Sequence, residues 1–453
     1  MASRTSAHDA GSAQKVSAAE VGEIVRRHAR FIAGRPGGTR AVFSFFELIG
    51  VDLSNYDLSE ADFTGAKLRR ARLNNAKLRR ANFFCADLRM ANMERADIAS
   101  ADLRGACMRG AELSGSTLAG ADIRQASLAR SSKPGELEMM VFDDVPAQLS
   151  AVVAKGADLS NARLANAFVL QADLTDANLS HADLRGADFR NTVLVGASLE
   201  GATLNEAKFA GADLAGADLT GVSINGADFN EADLRGAVLD PMTMDAAELQ
   251  TAMLPSQRTT DETQLQRILA QHRVWLESSS KDGVRADLSD LDLNGRSFKG
   301  IDLSVALMER CSLQQADLSD GSFAMANMTL ADLRGAGLAK ADLRGVKMAR
   351  ATLTGADLTG ARLDPVEHIG TEALSSPAIL DHARLANACL AGASMRGIRL
   401  VGADLSGADL SNANLRNADL RGANLAGAEL GGADTFGAQF KDAKGVKLNG
   451  AGR

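Results

Sequence analysis

The chain repeats itself every five residues, and that period excludes both standard ways of folding a polypeptide. From Ala41 to Arg130 it divides into units such as VDLSN, YDLSE, ADFTG, AKLRR, ARLNN, ANFFC and ADLRM. The frame returns over Ala157–Pro241, Ala286–Pro365 and Ala383–Asp442. Each unit reads Ala, then often Asp or Asn, then Leu, Phe or Met, then two variable and mostly small or polar residues. Leucines five apart on a helix advance about 500°, so they drift round the cylinder without making a stripe. On a flat strand the odd spacing throws successive leucines to opposite faces. A chain that turns once per unit resolves the conflict, because every Ala and every central residue then points to one axis.

The large central residues indicate how many units close a turn. Phe43, Phe63 and Phe83 step by twenty residues, as do Phe189, Phe209 and Phe229, and Met308, Met328 and Met348. Like-sized side chains stack without voids when one lies directly above another. Four units per turn is therefore predicted, with these nine residues as three internal columns. Alanine leaves room at an inner corner. Asp or Asn before the central residue favours turns by bonding nearby backbone. The frequent closing Gly suits a corner with positive φ, and stacked coils pair at about 4.8 Å.

These units resemble the pentapeptide repeat family, whose consensus is A(D/N)LXX, over roughly seventy percent of the chain. The resemblance implies an all-β solenoid, a right-handed quadrilateral β-helix with four repeats per coil. It says little about activity, because the family is functionally diverse.

Breaks in the frame suggest two tandem modules. Residues 17–34 carry an apolar helical stripe of Val21, Ile24, Val25, His28, Phe31 and Ile32. Residues 261–279 repeat it at identical offsets with Leu265, Ile268, Leu269, His272, Trp275 and Leu276. Each stripe precedes a Gly-containing loop and an Arg-Ala pair, Arg40-Ala41 or Arg285-Ala286, that opens a repeat run. A helix laid over the first coil would cover its strand edges and apolar ends. The expected order is a disordered tail at 1–16, a capping helix and loop at 17–40, and a first module at 41–241 interrupted at 131–156. A helical connector follows at 242–285, then a second module at 286–442 interrupted at 366–382, and a tail at 443–453. The interruptions are expected to hold a short helical stretch at best. One bulged rod is the alternative to two modules.

The residues argue against chemistry. There is no GxSxG, HExxH, Walker loop or GxGxxG before a helix. The Asp residues sit in the turn-forming slot, and an axis filled by Ala and Leu leaves no interior pocket. Cys85, Cys107 and Cys389 fall in outward slots and Cys311 in an inward one, with no CxxC, so neither a metal site nor a disulfide framework is expected. His28 and His272 are expected to bond the coil beneath them. No catalytic residue, cofactor or metal is assigned. No apolar stretch is long enough for a membrane helix and no hydrophobic leader opens the sequence, so a cytoplasmic setting is expected.

Charge suggests a surface instead. Between Ala66 and Arg130 there are 13 Lys/Arg against 6 Asp/Glu, and between Ala157 and Pro241 only 5 against 13. Arg69, Arg89 and Arg109 share one slot at twenty-residue steps and should form a column, with Arg79 and Arg104 in the same basic stretch. The expected function is a non-enzymatic scaffold presenting charge-patterned walls to a protein partner or to itself. A net charge of −7 with one Trp and one Tyr argues against direct nucleic-acid binding. The family resemblance supplies the alternative, since some members mimic B-DNA and regulate a topoisomerase, DNA gyrase. It also implies a homodimer through the C-terminal coils, for which Phe436, Phe440, Val446 and Leu448 are the candidate end residues. The tail folding back as a private cap is the competing arrangement.

Overall fold

The computed structural model describes residues 14–126, 128–133, 136–140, 149–244, 246–254, 258–367 and 375–446. The chain falls into two compact units, Met1–Met253 and Leu254–Arg453. Each is a right-handed quadrilateral β-helix.

The coil is built by one repeated set of backbone bonds. The residue before each central position bridges, in parallel, its counterpart twenty residues later, as in the ladder through Val42, Asp62, Asn82, Asp102 and Asp122. Phe43 donates its N–H to Asp62 O at 2.7 Å, and Asp62 donates back to Ala41 O at 3.0 Å. Each corner closes with a bond such as Ala66 N–H to Phe63 O, 2.9 Å. The last residue of the unit takes positive φ there, whether it is Gly65 at 62° or Asn75 at 56°. Four units therefore make a turn, and the Ala and central positions line its axis. Phe43, Phe63 and Phe83 stack with centroids 5.1 and 4.8 Å apart, and Phe189, Phe209 and Phe229 at 5.1 and 5.0 Å. Met308, Met328 and Met348 are fully buried on one ladder.

Both units begin alike. In the first, β1 (Gln14–Lys15) precedes α1 (Ala18–Ile32) and pairs in parallel with β2 (Phe46–Glu47) of the first coil. Gln14 and Lys15 were expected in a disordered tail; a two-residue strand carries no period, so pairing to the first coil left no trace in sequence. A capping box between Ser17 and Glu20 starts α1, and Val21, Val25 and His28 are its buried face. The first array is interrupted after Ala126, earlier than the expected 131, where β3 (Leu128–Lys133) and β4 (Glu136–Met140) form an antiparallel hairpin. The array resumes by Leu149, not after 156, because Glu112 bridges Val153 across the insertion. Nor does the first array stop at 241. After α2 (Pro241–Met244) and a 3-10 turn, Met253 still bridges Asp233.

In the second unit β5 (Arg258–Thr259) precedes α3 (Glu262–Glu277) and pairs with β6 (Leu291–Asp292). Asp261 caps α3, and Leu265 and His272 are buried. The second insertion carries β7 (Val366–Glu367) against β8 (Ser375–Ser376). The ladder resumes at Ile379, four residues before the expected Ala383, since Lys347 bridges Ile379. It also runs past 442, with Lys444 bridging Asn424.

Candidate interaction surface

With Ala and central residues turned inward, only three positions per unit reach solvent, so a functional surface has to be read as columns on the walls. The slot after the central residue aligns Arg69, Arg89 and Arg109 in one column: Arg70 N–H bonds Arg89 O and Met90 N–H bonds Arg109 O, both at 3.0 Å. The same slot one coil earlier holds Ile49, since Gly50 N–H bonds Arg69 O at 2.9 Å. Ile49 is 52% exposed, Met90 on the adjoining corner 58%, and Phe45 on the opposite corner 41%. In its first four coils this wall thus combines exposed apolar groups with Lys67, Arg69, Arg70, Arg89 and Arg109 against only Glu47 and Asp87. Sequence reasoning picked out its arginines and missed Ile49, Met90 and Phe45, although Ile49 stands twenty residues before Arg69.

Arg79 and Arg104 do not join that wall. Arg79 follows Leu78, two units on from Leu68, and pairs with Asp97 at 3.0 Å on the opposite side. Arg104 lies over Phe84, 5.3 Å from its ring centre, on the wall of the Phe43 ladder. Their shared basic composition placed them together; the four-unit turn separates them.

Much of the basic charge is also held by its own unit. Where a unit reads Asp-Leu-Arg, the arginine folds back over the central residue and grips the aspartate with two parallel bonds. Arg89 donates to Asp87 through Nε at 2.8 Å and Nη2 at 2.7 Å, and Arg104 to Asp102 at 2.9 and 2.6 Å. The same clasp closes Arg124–Asp122, Arg185–Asp183, Arg190–Asp188, Arg235–Asp233, Arg334–Asp332, Arg344–Asp342 and Arg421–Asp419. Bidentate charge-assisted bonds of this kind are the strong ones. Asp87 is nearly buried; burial alone would raise its carboxyl, but the Arg89 side-chain and backbone bonds with the Arg89 and Arg69 charges hold it below the ordinary value. Units without this aspartate pair across coils instead, Arg72 of ARLNN with Asp52 and Arg80 of AKLRR with Glu60, both at 2.5 Å. The signal for the clasp was present in the recurrent ADLR, because residues either side of the central position share a wall.

The acidic stretch is likewise split. One wall carries Asp158, Glu200, Asp218 and Asp240 in its later coils, but the same ladder holds Lys77 and Arg79 earlier. Cys85, expected outward, is buried at its corner, with its Sγ against the Cα side of Gly105; burial pushes its thiol up to about 11. Burial likewise raises Cys311. These thiols are far from the thiolate form at neutral pH. Among the described residues no group of His, Cys, Asp and Glu could hold a metal ion, and no helix is long and apolar enough to cross a membrane. At the far end of the second unit, Phe436 is 67% exposed with the Arg416 guanidinium 4.8 Å from its ring centre. Phe440 and Val446 are partly buried against the core, and Leu448 lies outside the described residues.

The profile of the pentapeptide repeats matches residues 39–132, 147–240, 286–323, 326–364 and 378–444, more than half of the chain. No curated protein sequence matches. Among solved structures the chain is similar to HetL, a pentapeptide repeat protein involved in heterocyst differentiation regulation from the cyanobacterium Nostoc sp. strain PCC 7120. That match has 25% identity over 79% of this chain and 88% of the other, with a TM-score of 0.15. It is also similar to QnrB1, a plasmid-mediated fluoroquinolone resistance protein, at 20% identity over 56% and 88% with a TM-score of 0.20. A pentapeptide repeat protein of the Arabidopsis thaliana thylakoid lumen matches at 24% over 32% and 83%, with a TM-score of 0.18.

Proposed function

Since the chain belongs to the pentapeptide repeat family, we propose that it is a non-enzymatic scaffold whose contact surface is the wall of Ile49, Arg69, Arg89 and Arg109. The observation that carries this reading is the placement of exposed Ile49 in the arginine column, with exposed Met90 and Phe45 on the corners either side of it. A solvated wall needs only polar groups in its outward slots. Three large apolar residues left in water beside five cations instead match the mixture of anchors and charges found at protein interfaces. Arg89 is already rigid, held by Asp87, so its fixing costs little on association. The partner is a protein surface with acidic groups flanking an apolar hollow.

The partly uncovered end of the second unit supports self-association as a further part of this reading, through Phe436, Phe440 and Val446. A DNA-mimic regulator of a topoisomerase, the other function its family suggests, requires one continuous acidic face. The change of sign along the wall from Lys77 and Arg79 to Glu200 and Asp218 supports the scaffold instead.

Affinity capture with the full chain, run beside Ile49→Glu and Met90→Glu, tests the surface. A partner retained by the natural chain and lost by both variants, with unchanged circular dichroism, is the expected result. Equal retention by the variants would sink the assignment of this wall.

A further inference from the structure

Each unit fastens its cap with one histidine used in the same way. His28 of α1 and His272 of α3 are both fully buried. His28 Nδ1 accepts a hydrogen bond from the Ala41 N–H at 3.1 Å, and His272 Nδ1 accepts from the Ala286 N–H at 3.1 Å. A ring nitrogen that accepts carries no proton, so both rings are neutral with the proton on Nε2. Both Nε2 atoms are buried without a hydrogen bond of ordinary geometry, although the Ser59 and Ser304 backbone of the first coil lies close enough to each ring to favour its protonated form. On its outer side His28 stacks on Phe31 and His272 on Trp275, each with centroids 5.7 Å apart.

The surroundings repeat as well. Thr39 N–H bonds Arg27 O and Val284 N–H bonds Gln271 O, both at 3.2 Å, tying the loop to the helix one residue before the histidine. Arg40 and Arg285 each donate Nε to the first coil, at Glu60 O and Val305 O. The charges that act on His28 are Asp57 and Glu60 of the coil, which favour a cation, and Arg40 of the loop, which opposes it. For His272 they are Asp302 of the coil and Arg285 of the loop. In both, burial outweighs the carboxylates and the backbone of Ser59 or Ser304, and pushes the imidazole below its usual value.

We propose that His28 and His272 are acid-sensitive latches, and that protonating either ring releases its helix from the first coil beneath it. A proton on Nδ1 replaces the acceptor of the Ala41 or Ala286 N–H with a second donor. The two then face each other in a buried site, and the cation loses more hydration than the nearby carboxylates return. Undocking relieves both penalties. It also exposes the first coil's strand edges, which a second copy of this chain can pair with. The direction follows from linkage. The undocked ring takes a proton as pH falls below about 6.5 while the docked ring does not, so docking is full above that value and weakens beneath it. Asp87, Asp122, Asp183, Asp188, Asp342 and Asp419, held below the ordinary carboxyl value by their arginines, stay charged over the same range, so these clasps hold while the caps open.

Trp275 is the one tryptophan of the chain and reports α3 directly. The full chain is titrated from about pH 7.5 to 4.5 while Trp275 emission is followed, with hydrogen exchange corrected for its intrinsic pH dependence in segments 18–45 and 262–290. One proton taken up on opening makes the opening equilibrium rise about tenfold per pH unit. Emission should change reversibly in step, with exchange in 380–425 unaltered. His272→Asn keeps an acceptor near the Nδ1 position and cannot titrate, so it should remove the slope in 262–290 and leave it in 18–45. If His272→Asn does not fold, His28→Asn gives the mirror comparison, with the natural α3 cap as the internal control. Exchange independent of pH in both caps overturns the proposal, as does a quench of Trp275 without faster exchange. An unaltered slope in the substituted cap overturns it too.

Discussion

At the scale of single residues, a core one side chain deep makes each central position answerable to the coils above and below it. Phe209 is fully buried between Phe189 and Phe229, at 5.1 and 5.0 Å from their ring centres. No neighbour can slide along the axis to fill a gap without leaving its own ladder. Phe209→Ala should therefore cost about 3–5 kcal/mol through the cavity it opens; an unchanged chemical unfolding midpoint would contradict that burial. The corners are as demanding in the opposite sense. Gly186 has φ +63°, and a Cβ placed on it would stand 2.5 Å from Asn166 Oδ1 of the preceding coil. Gly186→Ala should lose about 1–2 kcal/mol from the left-handed backbone alone, with the overlap added. Combining it with Asn166→Gly should return the overlap part, so the two changes will be non-additive in a double-mutant cycle.

At the scale of the repeating element, the clasp turns a pair of surface charges into part of the wall. Asp87 receives the Arg89 backbone N–H at 3.2 Å as well as both guanidinium bonds. Asp87→Asn keeps the size but removes the charge, and should destabilise by about 1.5–3 kcal/mol at neutral pH. A carboxyl held below its ordinary value of 3.8 contributes stability above that pH and loses it as pH falls through the folded value. The gap between natural chain and variant should accordingly narrow below pH 3.8, measured as urea midpoints; a gap constant into strong acid would mean that packing, not charge, was lost. The repeat itself was legible because period five with large residues every twenty admits one closed geometry. The clasp was not, because Asp was given its backbone role in the turn and Arg was counted as free charge. The hairpin of β3 and β4 was unreadable for another reason. The eleven residues of LARSSK and ELEMM carry neither a helical stripe nor a strict alternation, and the first three of them still fit the five-residue frame. The burial of Cys85 depended on a neighbour twenty residues away, Gly105, whose lack of a side chain makes room for the sulfur.

At the scale of the whole molecule, the contrast between coil ends is what the proposed self-association rests on. The first coils are covered by α1 and α3, each with a strand and a buried histidine. At the other end of the second unit the central positions lose their cover in sequence order. Leu415, Leu420 and Leu425 are fully buried, whereas Leu430, Thr435 and Phe440 are not, and Ala433, Ala438 and Ala443 follow them. Leu420 and Leu425 still donate their N–H groups to Gln439 and Lys444. Among the described residues nothing takes the corresponding bonds from Thr435 and Phe440. Partly exposed apolar groups beside open strand edges form a surface that a second copy would cover in the proposed two-fold, end-to-end contact. The expected result is a dimer of the full-length chain at micromolar concentration, measured by mass in solution. Phe440→Glu places a charge at the centre of that contact, and should yield a monomer with unchanged circular dichroism. A full-length monomer removes the dimer and leaves the residues beyond Val446 as the private cover of this end. A dimer that survives Phe440→Glu moves the interface elsewhere, with the wall of Ile49 and Arg89 next in line, and Ile49→Glu in the same measurement would then separate the two.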